Sequence, residues 1–409
     1  AHVTHPAFYE GCDREGVLVW QDFPLQWGYA PDEAFAQEAL RQARAMVEVL
    51  GAHPSAYLWC AQNEPTHNRH ALGPLLGAAL RAADPTRPVK EASDFREHPY
   101  PGWYWGHYRD FLALPGAPLP SEFGAQALPR AELLRRVLGE AAWPPRWEVW
   151  GYHNFQPHET FRVAGVEMGE SLEEFVERSQ DYQARLLEFA VHAYRRAKGK
   201  VVGYFQFMFV EPWEGITWAV LDVERVPKKG FFALKEASSP VLLSLVPYLE
   251  RVEVGAPPLQ EAWLVSDLDR PLSLRVRLRL EGPATLLLHE EEIALDAGEV
   301  RRFFSLGELW ESPLEVQARF LPLREALARI PPGASRLVGE AWEGERHWSR
   351  HGLSVGDLAP IRPTPWGAWA SPSPPKPSAP TWPSTTWIAW GCPRAPSPWP
   401  GSSSPCGTR

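Results

Sequence analysis

Residues 56–65 read AYLWCAQNEP. Ala56 to Ala61 is a short apolar run with the look of a buried strand. At its end stand Asn63 and Glu64, an amide and a carboxylate, followed by Pro65. Upstream, REGVLVWQDF ends an apolar run, Val17 to Trp20, in the polar pair Gln21 and Asp22. Between the two, Phe35, Ala39, Ala43, Met46, Val47 and Leu50 repeat at helical spacing, which predicts a helix over 32–50. Further helices are expected near 72–83 and 172–198, with strands at 89–92 and in KVVGYFQFMFV (200–210). GWYWGHY and LPSEFG read as strand ends. Strands alternating with helices imply an α/β fold with a parallel sheet or a (β/α) barrel. Catalytic groups of such barrels sit at the C-terminal ends of strands. Glu64 occupies that kind of position, and so does Glu122 in Ser121-Glu122-Phe123-Gly124.

After Pro240 the pattern changes to short strands with period-two alternation, from LQEAWLVSDL to LEVQARFL. That predicts a small antiparallel β-sandwich over 240–322, behind a catalytic barrel over 1–239. Residues 323–409 are expected to be an irregular Pro/Ser/Trp-rich tail. From Pro360 onward there is no Asp or Glu and there are six tryptophans. Disordered tails are usually poor in aromatics, so a stretch read out of frame competes with a Pro-rich disordered tail.

The net charge of −9 over 409 residues argues against a nucleic-acid or membrane-surface binder. No apolar stretch approaches the ~20 residues of a membrane span, and the start lacks the basic head and apolar core of a signal peptide. Four cysteines without metal-ligand spacing suggest a reduced, cytoplasmic protein. The histidine pairs His67/His70 and His153/His158 have no partner set for zinc, so no metal is expected.

Two carboxylates at two strand mouths suit glycoside hydrolysis: one donates a proton to the leaving oxygen and the other attacks the anomeric carbon. Apolar walls can push their pKa values apart. A lone glutamate is more often a cap or salt-bridge partner; the pair in these contexts reverses that reading. FYEGCDREGVLVWQDFP, HPSAYLWCAQNEP, SEFGAQALP and GYFQFMFVEPWEGITWAVLDVERVPKKGFFALKEASSPVL resemble, in order, landmarks of glycoside hydrolase family 2. VLVWQDF, LGAHPSAYLW and SQDYQARLLEFAVHAYRR look most like its β-mannosidase branch. The likeness covers roughly residues 5 to 320.

The resemblance implies a retaining exo-β-glycosidase without metal or cofactor, acting on an oligosaccharide or other β-glycoside. It implies Glu64 as acid/base, Glu122 as nucleophile, and Asn63 as ligand of the sugar 2-hydroxyl. β-Galactosidase and β-glucuronidase are rivals of the same class. The family often shows Trp-Gln-x-Asn-Asp-x-Trp in the last barrel strand, where this chain has Phe207-Met208-Phe209-Val210-Glu211-Pro212-Trp213. The resemblance therefore carries the carboxylate pair but not the sugar specificity. Trp20 and Asp22 are candidates for the pocket floor, Asp22 for a sugar hydroxyl or a buried structural hydrogen bond. His107 and Tyr108 match a polar-aromatic strand end of the mannosidase-like enzymes. Trp213 and Trp218 are candidates for stacking on a sugar or for packing between domains.

A complete barrel has eight strands. If Val17–Trp20 is the third, two precede Ala1, and the chain is expected to be the C-terminal piece of a longer enzyme. An opened barrel holds its carboxylates poorly, so weak or no turnover is expected, with a non-catalytic carbohydrate-binding remnant as the alternative. A retaining pair requires carboxyl groups about 5–5.5 Å apart; separation beyond about 9 Å does not fit one.

Overall fold

The computed structural model describes residues 2–29, 32–66, 69–113, 116–247, 259–305, 314–328 and 336–354, with the backbone alone at 69, 321, 322, 324–328 and 354. The tail from 355 onward and His67 lie outside the described residues.

The first half alternates helices and parallel strands: α1 (Pro6–Glu15), β1 (Val19–Asp22), α2 (Glu33–Leu50), β2 (Ala56–Cys60), α3 (Arg69–Ala83) and β3 (Val89–Lys90). Asp32 caps α2 by accepting from the Phe35 amide at 2.7 Å, supplying one of the donors a helix start leaves unpaired. Ala39, Ala43, Met46, Val47 and Leu50 form its buried face. The parallel sheet runs β1-β2-β3, with Asp22 opposite Cys60 and Trp59 opposite Val89. Because the strands are parallel, their C-terminal ends share one edge. Asp22, Asn63 and Ser93 meet there, and isolated bridges prolong the pairing through Gln26, Asn63 and Ser93.

Beyond β3 the chain turns at Gly102 and Gly106, both with positive φ, where a strand end was expected, and enters a 3-10 turn at Tyr108–Leu112. The 118–124 and 202–207 segments lie side by side without becoming regular strands. Ser121 N–H donates to Glu97 O at 2.8 Å, Val202 N–H to Pro118 O at 2.8 Å, and Phe207 N–H to Phe123 O at 3.0 Å. A Cβ at Gly124 would lie 2.6 Å from Phe207 O, so glycine there permits that close approach. Among the described residues no sheet closes on itself.

Helices α4 (Ala131–Leu138), α5 (Trp147–Tyr152), α6 (Leu172–Arg196) and α7 (Lys229–Ala237) back these segments. On α6, Leu186, Leu187, Ala190 and Tyr194 pack on Phe111 and Phe123. Phe123 meets Phe111 and Tyr194 edge-on at 6.2 and 5.3 Å, contacts worth about 0.5–1.5 kcal/mol each beyond burial. Gln183 of α6 donates to the carbonyls of Ala125 and Trp218 at 2.9 and 3.1 Å. None of the described helices is long and apolar enough to cross a membrane.

The second half is antiparallel: β4 (Val241–Pro247), β5 (Leu259–Ser266), β6 (Leu272–Glu281), β7 (Leu286–Leu295), β8 (Val300–Ser305), then α8 (Leu314–Ala328), β9 (Arg336–Glu343) and β10 (Arg346–Ser354). Sheets ordered β10-β9-β6-β7 and β4-β5-β8 share one core containing Leu243, Leu264, Leu274, Val276, Leu278 and Leu337. Two expectations are corrected here. LEVQARFL is helical, because Val316, Phe320 and Leu323, spaced four and three apart, are the residues that face this core. The sheets also run past 322. β9 pairs with β6 from Arg275↔Trp342 to Glu281↔Arg336, burying Leu337, Val338 and Ala341, so 336–354 is not an irregular tail.

One buried ion pair fastens the landmark region 207–230. Lys228 Nζ donates to Glu211 Oε1 at 2.7 Å and to Ala127 O at 2.8 Å, with both side chains almost fully covered. Burial pushes the Glu211 carboxyl up and the Lys228 ammonium down, and each partner's charge opposes that shift. Glu211→Leu should cost about 3–5 kcal/mol in urea denaturation, since it strands a buried ammonium. The double variant with Lys228→Met should recover most of the loss. Equal losses in the single and double variants would show that packing, not charge, holds this region.

Candidate active site

Each strand end delivers one polar group. Glu64 follows β2 with φ of 47°, a left-handed conformation that non-glycine residues adopt at a cost of about 1–3 kcal/mol. Its amide donates to Ser93 O at 2.8 Å, which fixes the backbone in that turn. Its carboxylate accepts from Trp27 Nε1–H at 3.1 Å and lies 3.0 Å from His98 Nδ1. Glu122 follows the 118–121 segment and accepts from the Tyr100 hydroxyl at 2.9 Å. His98 Nδ1 stands 3.7 Å from Glu122 Oε2, and His98 Nε2 is 3.0 Å from Ser121 Oγ. One donor atom each from Glu64, His98 and Glu122 falls within 4.8 Å of the other two.

The network fits one histidine tautomer: Nδ1–H donates to Glu64 while Nε2 accepts from the Ser121 hydroxyl. The two carboxyls are pushed in opposite directions. The His98 hydrogen bond, aided by Trp27, holds Glu64 below the usual glutamate range against the effect of burial. Burial pushes Glu122 up; the charge of Glu64 adds to this, and His98 and Tyr100 oppose it. Burial likewise raises Tyr100 well above the usual phenol range and Tyr104 to about 12.

The other sequence candidates divide. Asn63 is buried beside Glu64 and accepts from Ser93 Oγ at 3.1 Å. Asp22 accepts from Trp20 Nε1–H at 2.9 Å. It lies near enough to Glu122 to raise it and, after burial, to help push the Cys60 thiol to about 12. Asn63 and Asp22 thus lie by the carboxylates, while Trp20 is tied to Asp22 and to Phe205. His107 does not line their pocket; it caps the 3-10 turn by accepting from the Arg109 amide at 3.2 Å. Tyr108 packs in the α6 core, edge-on to Phe189 at 5.3 Å. Trp213 stacks on His153 at 5.5 Å in a surface aromatic group with Tyr152. Trp218 packs on Trp103, Tyr104 and Phe207.

Sequence reading missed His98, Tyr100, Ser121, Trp27 and Tyr104. HPY at 98–100 follows no periodic run, and its one signal is a histidine and a tyrosine two residues apart. Glu64, His98 and Glu122 could also present donors to a divalent ion, but the hydrogen bond to Glu64 occupies His98 Nδ1. A second set, Glu188, His192 and His351, has a similar obstacle. His351 Nδ1 accepts from the Leu245 amide at 2.9 Å, which leaves the proton of the neutral ring on Nε2.

No protein-family profile matches the chain. Beta-mannosidase B of Emericella nidulans is 26% identical over 339 residues, covering 69% of this chain and 40% of that protein. Beta-mannosidase B of Neosartorya fischeri is 26% identical over 384 residues, covering 81% and 42%. Among solved structures, a beta-D-mannosidase from Dictyoglomus thermophilum aligns with TM-score 0.69 at 20% identity, over 88% of this chain and 45% of that one. An exo-chitosanase of Amycolatopsis orientalis aligns with TM-score 0.59 at 15% identity, over 87% and 44%. The chain spans less than half the length of these relatives.

The opposed shifts predict opposite stability effects. Stability from a lowered carboxyl is present above its unfolded pKa and lost as pH falls through the folded value. For a raised one it is present below the unfolded pKa and lost as pH rises. At pH 7, Glu122→Gln should therefore stabilise the chain by about 0.5–2 kcal/mol, and Glu64→Gln should destabilise it. The Glu122 difference should shrink as pH falls toward the ordinary glutamate range, about 4, whereas the Glu64 difference should persist there and fade only at lower pH, as its lowered carboxyl protonates. Thermal melts of the three proteins at both pH values check this; effects of one sign for both variants would contradict the shifts.

Proposed function

We propose that this β-mannosidase-like chain of the glycoside hydrolase family 2 kind carries the machinery of a retaining exo-β-glycosidase, with Glu122 as nucleophile and Glu64 as acid/base. The observation that supports this most is the convergence of two glutamates, one from the end of β2 and one from the 118–124 segment, with a carboxylate oxygen of each within 4.8 Å of the other. So close an approach supports retention, for which carboxyl groups stand about 5–5.5 Å apart, over inversion at about 6.5–9.5 Å.

In the first step Glu122 attacks the anomeric carbon while Glu64 gives its proton to the glycosidic oxygen, and the leaving alcohol departs. In the second, Glu64 takes a proton from water, which attacks the glycosyl–Glu122 ester and releases the sugar with its configuration retained. In this reading Asn63, beside Glu64, binds the 2-hydroxyl, and Asp22 a further hydroxyl. The parallel segments 19–22, 56–60, 89–93, 118–124 and 202–207 form an arc of a (β/α) barrel in this reading, and the two antiparallel sheets form an immunoglobulin-like sandwich.

Without substrate, Glu122 is the carboxyl pushed up by burial and Glu64 the one held down by His98. The proposed roles need the reverse at the moment of bond cleavage. A sugar covering Glu64 removes water and raises it, while positive charge developing at the anomeric carbon favours ionised Glu122. The opposed shifts favour a second reading, with the roles exchanged.

Leaving-group dependence separates them. On a panel of nitrophenyl β-mannoside, galactoside, glucuronide and glucosaminide, the mannoside should be cleaved best. Glu122→Ala should lower kcat on the order of 10⁴-fold, with partial rescue by azide. Glu64→Ala should cost about 10²–10⁴-fold on poor leaving groups and much less on activated ones. If Glu122→Ala is instead the leaving-group-sensitive variant, the roles are exchanged. No cleavage of any panel member would leave the carbohydrate-binding alternative.

A further inference from the structure

A second cleft, of about 450 Å³, lies where α6 meets β4 and β10, and it shares no lining residue with the pocket beside Glu64. Two histidines line it from different elements, His192 of α6 and His351 of β10. They are 3% and 7% exposed, with ring centroids 4.2 Å apart.

Each ring has one nitrogen committed to the fold. The Leu245 amide donates to His351 Nδ1 at 2.9 Å, so the neutral ring carries its proton on Nε2. Ser244 Oγ lies 3.0 Å from His192 Nδ1 and accepts from Arg196 Nη1. The one proton of this buried hydroxyl then goes to His192 Nδ1, which leaves that ring's proton on Nε2 as well. Among the described residues neither Nε2–H meets an acceptor. Two neutral donors thus stand in the wall of one cleft. Burial keeps both rings unprotonated, His351 with a pKa of about 3, and the neighbouring charges that push them further down are all cationic.

The surrounding charge selects the ligand. Arg109, Arg185, Arg196 and Arg336 line the cleft against two carboxylates, Asp181 and Glu188. Asp181 is paired with Lys229 at 2.6 Å, and Glu188 has an oxygen within 4.8 Å of both rings. A cation would need a lone pair where each Nε2 carries a proton. An anion meets donors and an excess of guanidinium groups, which match oxyanions in geometry as well as in charge.

We propose that this cleft binds an oxyanion, the phosphate or carboxylate of a small organic acid, which accepts from the two Nε2–H groups and from Arg196 and Arg336. Phe189, Leu245 and Leu353 in the same wall give its carbon body an apolar bed. The bound anion ties α6 to β10, and so the helical half of the chain to the antiparallel half. The proposal does not depend on the glycosidase reading.

The test is calorimetric titration of the whole chain with glycerol 3-phosphate, inorganic phosphate and acetate, each against sodium chloride at equal ionic strength. Tighter binding of the phosphates assigns a phosphate ligand, and tighter binding of acetate a carboxylate. At ten times its dissociation constant the bound anion should raise the melting midpoint by about 2–4 °C. Arg336 is exposed, so Arg336→Gln should leave the midpoint in chloride unchanged while weakening anion binding about tenfold. In nitrogen NMR the Nε2 signals of His192 and His351 should shift as the anion is added. No heat with any of the three anions overturns the site, and so does equal affinity in Arg336→Gln. A midpoint raised equally in both proteins is the general salting effect of phosphate and overturns it too, as does binding of zinc chloride in place of the anions.

Discussion

Two carboxylates whose oxygens lie within 4.8 Å repel each other by about 3–4 kcal/mol at an effective dielectric of about 20, and by less where water screens the half-exposed Glu64. His98 makes this arrangement tolerable. Its Nδ1 reaches Glu64 at 3.0 Å and Glu122 at 3.7 Å, and its ring is buried to 3% exposure. A single donor placed between two acceptors stabilises one negative charge well and two poorly. The rest of the site holds this ring and the two carboxylates in register.

That holding has a cost that is legible in the backbone and the burial. Glu64 is kept left-handed by its own amide and by the bridges around Asn63. Tyr100 is buried with its hydroxyl committed to Glu122. Its ring packs edge-on to Tyr104 at 5.2 Å, and Tyr104 packs against Trp218 at 6.1 Å. Trp218 meets Trp103 at 6.5 Å. This chain of rings stiffens the Glu122 side. Many of the chain's aromatic rings thus serve as scaffold, while Phe95 is largely exposed.

How much of this could be read beforehand follows from the range of the signal. Helices α2 and α6 were legible because Ala39 to Leu50 and Leu186 to Tyr194 bury one face at helical spacing, a local pattern that tertiary packing confirms. Glu64 and Glu122 were legible because each stands at the abrupt end of an apolar run. His98 was not, since its role arises only when the chain between β3 and the 118–124 segment brings it over both glutamates. His107 and Tyr108 share the polar-aromatic look of a strand end, yet Gly102 and Gly106 turn the chain there and send Tyr108 into the α6 core. In β9 the burial is continuous over 337–341 and in β10 a bulge interrupts it at His347/Ser349, so no clean alternation set these strands apart from the Pro/Ser/Trp-rich stretch beyond. In LEVQARFL four residues of alternation outweighed the wider spacing of Val316, Phe320 and Leu323.

The weakest part of the holding lies at the two ends of the parallel arc. Phe205 sits in the segment that supports Glu122 through Phe123, while Trp20 supports Asp22 through its indole N–H. These two rings meet at 6.3 Å, edge to face, so a contact between side chains links segments that share no described ladder. Val202 and Phe209 on the same outer segment are 73% and 61% exposed. Side-chain contact without a hydrogen-bonded ladder resists sliding less than paired strands do, and misplacement by about 1 Å can cost on the order of a hundredfold in rate. The precision of the Glu122–Asp22 side therefore depends on whatever pairs with or covers these edges. The Glu64 side, gripped by β2, β3 and the bridges through Asn63, is fixed by its own neighbours. Glu64 is in that sense the better-supported of the two carboxylates, and Glu122 the one held more by side-chain contacts.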